Sequence, residues 1–62
     1  MNFKRFMDMY DNWNGTTRVN DNKLNMIVED KTLTIMENRK DLYNKEVVAF
    51  GFYDNSIVVR VK

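Results

Sequence analysis

EVVAFGFYDNSIVVRVK, residues 46–62, is the stretch whose reading decides the fold. Two runs rich in Val, Ile and Phe flank Asp54-Asn55-Ser56, and both alternate, which is the pattern of a β-hairpin. Strand side chains repeat every two residues, so a register can be tested by parity. Val48, Phe50 and Phe52 share one face of the first strand; Ile57, Val59 and Val61 share one face of the second. A two-residue loop at Asp54-Asn55 pairs Phe52 with Ile57, Phe50 with Val59 and Val48 with Val61. A loop at Asn55-Ser56 keeps the same faces and pairs Phe52 with Val59. A three-residue loop over 54–56 sets apolar residues against polar ones, and parity disfavours it. Asp and Asn also tolerate the positive φ that tight hairpin turns demand.

The opposite face of this hairpin carries Val47, Ala49, Gly51 and Tyr53 against Ser56, Val58, Arg60 and Lys62. Its middle is small and apolar, whereas a solvated sheet face shows Lys, Glu and Thr. A cover is therefore predicted, either a helix or a second copy of the chain. That reading assigns Val47, Ala49, Gly51 and Val58 to a self-association interface. Gly51, inside a strand, marks a bulge or a close backbone approach, and approach by the helix or a partner subunit is expected.

Working outward, residues 2–14 place Phe3, Phe6, Met7, Tyr10 and Trp13 at the spacing of one helical face, with Met9 beside the stripe. A helix from about Phe3 to Trp13 follows, with Asn2 as N-cap and Gly15 just past its end. Asp8 and Asp11 oppose it weakly, because they fall where the helix dipole prefers cations. Thr16–Asn20 reads as a short strand and Asp21-Asn22 as a turn. Over residues 23–36, a two-residue turn at Asp30-Lys31 pairs Val28 with Leu33 and Met26 with Ile35, giving a second hairpin. Residues 37–45 read as a loop or a single helical turn anchored by Leu42-Tyr43. The prediction is a single α+β domain over 1–62: an N-terminal amphipathic helix packed on an antiparallel sheet of about five short strands, with the C-terminal hairpin central.

Composition narrows the chemistry. A chain of 62 residues buries only about 60% of its unfolded surface and usually needs a staple. The absence of Cys removes disulfides, and the absence of His as well removes Ser-His and Cys-His nucleophiles and tetrahedral zinc sites. Oligomerisation is the remaining remedy, so a homodimer or higher homo-oligomer is expected. Ten basic against nine acidic residues leave a net charge of +1, which fits neither heavy reliance on phosphate contacts nor acidic mimicry of nucleic acid. No apolar run approaches the ~18 residues of a membrane helix, and MNFKRFMDMYD is too polar for a signal peptide, so a cytoplasmic protein is expected.

No catalytic residue, cofactor or metal is assigned. The carboxylates available to a Mg²⁺-dependent nickase or nuclease are Asp8, Asp11, Asp21, Glu29 and Asp30, the last two beside Lys31. A polar turn is the more ordinary reading of 29–31. Nucleic-acid contact has more support, since Tyr53, Arg60 and Lys62 share a sheet face and Lys4, Arg5 and Arg18 extend a basic surface. Trp13 reads as a core plug at the end of the helix or an anchor for a protein partner.

A short chain whose amphipathic N-terminal stretch ends in NWNG, residues 12–15, and which closes on the EVVAFGFYDNSIVVRVK hairpin resembles small accessory proteins of phages and prophages in low-GC gut bacteria. Some of these are anti-CRISPR proteins, including oligomeric forms that act on DNA topology. The resemblance implies a phage or prophage binding protein that interferes with a host defence or nucleic-acid process as a homo-oligomer, its partner a protein or DNA. An oligomeric DNA-binding or DNA-nicking protein and a structural or regulatory interaction module are the alternatives.

Overall fold

Asn2 opens the chain's first element, α1 (Phe3–Met9), by accepting the Arg5 backbone N–H on its Oδ1 at 2.8 Å. Lys4 and Asp8, one turn apart, form an ion pair at 2.6 Å. The helix is shorter than the predicted 3–13 stretch. Tyr10 is extended, and Trp13 folds back so that its indole Nε1–H donates to the Met7 carbonyl at 2.9 Å. The Met7 carbonyl thus accepts both this indole and the Tyr10 N–H, at 3.2 Å, where the helix ends. The computed structural model describes residues 1–11 and 13–62; Asn12, which the predicted helix included, lies outside the described residues.

The remaining elements are β1 (Thr16–Asn20), β2 (Met26–Lys31), α2 (Thr32–Asn38), a 3₁₀ turn at Lys40–Leu42, β3 (Val47–Tyr53) and β4 (Ser56–Val61). The sheet has four strands in the order β2-β1-β4-β3. Its outer pairs are antiparallel, and its central pair, β1 with β4, is parallel. The architecture is α+β, with a mixed sheet in place of the predicted antiparallel one of about five strands.

The C-terminal hairpin forms with the predicted two-residue loop. Phe52 pairs with Ile57 and Phe50 with Val59, and Asp54 takes φ 49° in the turn. The hairpin is central only by half, because β4 is interior and β3 is an edge. A register shift between Val47 and Ala49 makes Val48 the extra residue of a bulge, so Val47, not Val48, lies opposite Val61.

The predicted hairpin at 23–36 does not form. β2 pairs back onto β1 through the 21–25 turn, where Asp21 Oδ1 accepts the backbone N–H groups of Lys23 at 2.8 Å and Asn25 at 2.9 Å. Residues 32–38 are helical instead. Thr32, Ile35 and Met36 are buried, an i, i+3, i+4 set, while Leu33 is exposed. Thr32 N–H donates to the Gly15 carbonyl at 3.0 Å, so the first turn of α2 is capped by backbone.

Both helices lie on one face. Phe3 and Met7 of α1, Ile35 and Met36 of α2, and Leu42 form a single core with Val19 of β1 and Ile57, Val59 and Val61 of β4. Thr17 and Thr32, both fully buried, bond hydroxyl to hydroxyl at 2.6 Å inside it. Leu42 and Tyr43 anchor the 37–45 connection as expected, with the Tyr43 hydroxyl donating to the Met36 carbonyl. Gly15 has a role its position past α1 did not suggest. A Cβ there would sit 1.9 Å from the Asn55 carbonyl oxygen, because the β3–β4 turn lies against it. Among the described residues, no helix is long and apolar enough to cross a membrane.

Candidate functional site

Two surfaces stand out, one on each side of β3. On the helix side, α1 is too short to cover the sheet to its edge. Seven helical residues span about 10 Å, whereas seven strand residues span about 23 Å. Phe50 and Phe52 consequently remain 55% and 61% exposed, although they share the face on which their partners Val59 and Ile57 are fully buried. Their rings make an aromatic group with α1: Phe6 to Phe50 at 4.9 Å, Phe50 to Phe52 at 5.5 Å, and Tyr10 to Phe52 at 5.8 Å between centroids. Met1 and Met9 complete an apolar hollow of about 450 Å³ with them.

The edge of β3 is covered at its start and open beyond. Val47 N–H donates to the Met1 carbonyl at 2.9 Å and Phe3 N–H to the Lys45 carbonyl at 2.8 Å, so residues 1–3 run alongside Glu46. From Ala49 to Tyr53 nothing among the described residues pairs with the outer side. In a hairpin closed by Tyr53 and Ser56 across a two-residue loop, the ladder alternation turns the N–H and C=O of Phe50 and Phe52 outward. Strand edges are ordinarily blunted by charge or Pro; β3 has neither.

On the other side of the sheet no helix lies among the described residues. The registers set out three rows across all four strands. Lys31, Thr16, Ser56 and Tyr53 form one; Glu29, Arg18, Val58 and Gly51 the next; Met26, Asn20, Arg60 and Ala49 the third. Ala49, Gly51 and Val58, assigned to self-association, are neighbours here. Val47 is not: the bulge turns it towards the core, where it packs half-buried. Within the chain Gly51 is approached by the ring of Tyr53, whose Cε2 would lie 3.3 Å from an added Cβ, and not by a helix among the described residues.

The basic and aromatic candidates divide. Arg18, Tyr53 and Arg60 belong to this open face, and Arg18 Nε donates to Asn20 Oδ1 at 3.3 Å. Arg60 Nε is buried without a hydrogen-bond partner among the described residues, a condition that costs about 1–3 kcal/mol for a polar group. Arg60, Tyr53, Asn20 and Leu24 line a shallow hollow of about 290 Å³. Lys62, two residues beyond Arg60, is exposed, its N–H on the Glu46 carbonyl. Lys4 is committed to Asp8 and lies 5.7 Å over the Tyr43 ring. Trp13 is half-buried against the core.

The carboxylates do not converge. Asp8 and Asp11 border one depression with Tyr10 and Trp13, Asp21 holds its turn, Glu29 faces Arg18 across strands, and Asp30 accepts the Lys31 N–H at 2.7 Å. No group of three or more acidic side chains forms among the described residues. The Asn25 backbone N–H, with Lys23's behind it, holds the Asp21 carboxyl below its ordinary value of 3.8. Arg39 does the same to Asp41, through a two-pronged pair at 2.9 and 3.0 Å.

No family model, curated protein or solved structure matches this chain. Of the two surfaces, the aromatic edge was not anticipated; the signal available was an α1 stripe too short to reach a seven-residue β3. The open face follows from hairpin parity, but Asn20 joins it only through the parallel β1–β4 pairing and Leu24 only through the turn between β1 and β2.

Proposed function

We propose that the protein is a binding module that works as a homo-oligomer, two copies joining along the β3 edges. The observation that carries this reading is the uncharged β3 edge with Phe50 and Phe52 more than half exposed beside it. An antiparallel pairing with its two-fold axis at Gly51 sets Phe50 opposite the partner's Phe52 and makes about four main-chain hydrogen bonds. The same register brings both aromatic groups onto one side of a continuous sheet. It also keeps β3 free of like-charge contacts.

The area is sufficient. On the helix side, Phe50 and Phe52 leave roughly 230 Å² accessible per copy, given about 200 Å² for a whole aromatic side chain. With Met1, Met9 and Val48, two copies approach the ~1,200 Å² of a small specific interface. Sedimentation equilibrium across a concentration series tests the reading: a reversible dimer at micromolar protein is expected, and a monomer throughout would overturn it. The class of process, interference with a host defence or nucleic-acid process by a phage or prophage factor, is supported by resemblance in sequence style.

A further inference from the structure

We propose that the open face of the sheet binds single-stranded nucleic acid, with an unpaired base stacked on Tyr53 and the backbone held by Arg60 and Arg18. Tyr53 is 62% exposed and its ring lies against Gly51, the one residue on that strand with no side chain to lift it from the sheet. It therefore offers a flat apolar surface of the kind that stacks any base, whatever the sequence. Beside it, Arg60 keeps a buried Nε donor without a partner among the described residues, and Asn20 adds an amide in the same hollow of about 290 Å³.

Charge on this face is segregated in a way the chain's total of +1 conceals. The open-face positions of β1, β4 and β3 carry Arg18 and Arg60 and no carboxylate; the sole acidic residue in the three rows is Glu29, on the far strand, directly across from Arg18. An anionic chain crossing from β1 to β3 meets guanidinium groups before the aromatic ring. A duplex does not suit the site, because its bases are stacked on one another and withheld from Tyr53.

The test is fluorescence anisotropy of a labelled oligothymidylate at low salt, with a duplex of equal length and a polyglutamate peptide as competitors. Oligothymidylate is expected to bind and both competitors to displace it poorly. Tyr53→Ala should weaken binding about fivefold to a hundredfold, the effect of losing one stacked base, while Tyr53→Phe keeps it. Arg60→Gln should flatten the dependence of log K on log salt by about 0.7. Absence of binding, equal binding of duplex or polyglutamate, or a Tyr53→Ala variant as tight as Tyr53→Phe would each overturn the proposal. Sedimentation of the same variants separates this outcome from loss of the dimer.

Discussion

Phe52→Lys places a charge on the open edge of β3 and tests self-association with little harm to the fold. Phe52 is 61% exposed, so about 120 Å² of a ~200 Å² side chain is free to be buried by a partner. Two copies contribute about 240 Å², or roughly 6 kcal/mol at 25 cal/mol per Å² if buried completely. Edge packing that realises half of this, about 3 kcal/mol, makes the dissociation constant more than a hundredfold weaker, since 1.4 kcal/mol is tenfold. Within the protomer, the lost contact with Tyr10 and Phe50 is about 80 Å², and the lysine stem covers part of it. The expected loss to the fold is therefore about 1 kcal/mol, a fall in Tm of about 4–8 °C. Sedimentation equilibrium should show a reversible dimer for the parent and a monomer for the variant, with circular dichroism unchanged. Val58→Asp, on the open face, should leave the dimer intact. If Phe52→Lys dimerises as the parent does, or Val58→Asp alone dissociates it, edge pairing is wrong.

Three further expectations concern the fold that presents these surfaces. Gly15→Ala drives a Cβ into the Asn55 carbonyl, 1.9 Å away, and thermal melts should show a loss of at least about 1–3 kcal/mol; an unchanged Tm would mean that the turn yields freely. Thr32→Val leaves the buried Thr17 hydroxyl without its partner, at a cost of about 1–3 kcal/mol. The double change to Val should cost clearly less than the two single changes together in urea titrations, and strict additivity would rule out a coupled pair. Asp21 is held below 3.8 by its backbone donors, so its carboxylate adds stability above the unfolded-state pKa that is lost as pH falls through the depressed folded value. Asp21→Asn retains an acceptor for the turn but should remove that acid-side loss, and a parent and variant whose Tm values fall in parallel below pH 4 would contradict it.

The C-terminal hairpin was legible because two signals agreed: period-two alternation set the faces, and the Asp54-Asn55-Ser56 chemistry narrowed the loop to two registers, of which the one at 54–55 forms. Asn2 as N-cap and β1 at Thr16–Asn20 were read from similarly local chemistry. Residues 32–36 defeated the same method. Leu33 and Ile35 fit a period of two, while Thr32, Ile35 and Met36 fit a helix, and a run this short satisfies both. What decides between them is tertiary: the Thr32 hydroxyl meets Thr17 in the core and its N–H meets Gly15, neither of which local spacing encodes. With β2 released from that false hairpin, the Asp21 turn paired it with β1. The aromatic edge was missed for a related reason. Parity reports which side of a sheet a residue is on, but not whether the element above reaches that far.

The parallel pair in the middle of the sheet also sets the order in which the chain must assemble. Each hairpin closes locally, over the 21–25 turn or the 54–55 turn, but β1 meets β4 only by bringing Thr16 to Ser56, 56 − 16 = 40 positions away. Each doubling of loop length adds about 0.6 kcal/mol of closure entropy, so this seam lags the hairpins by roughly 2 kcal/mol and comes last. Until it closes, the inner strands β1 and β4 are edges as bare as β3. Wrong pairing in a partly folded chain would therefore begin at β1 and β4, strands that the finished sheet holds in its interior.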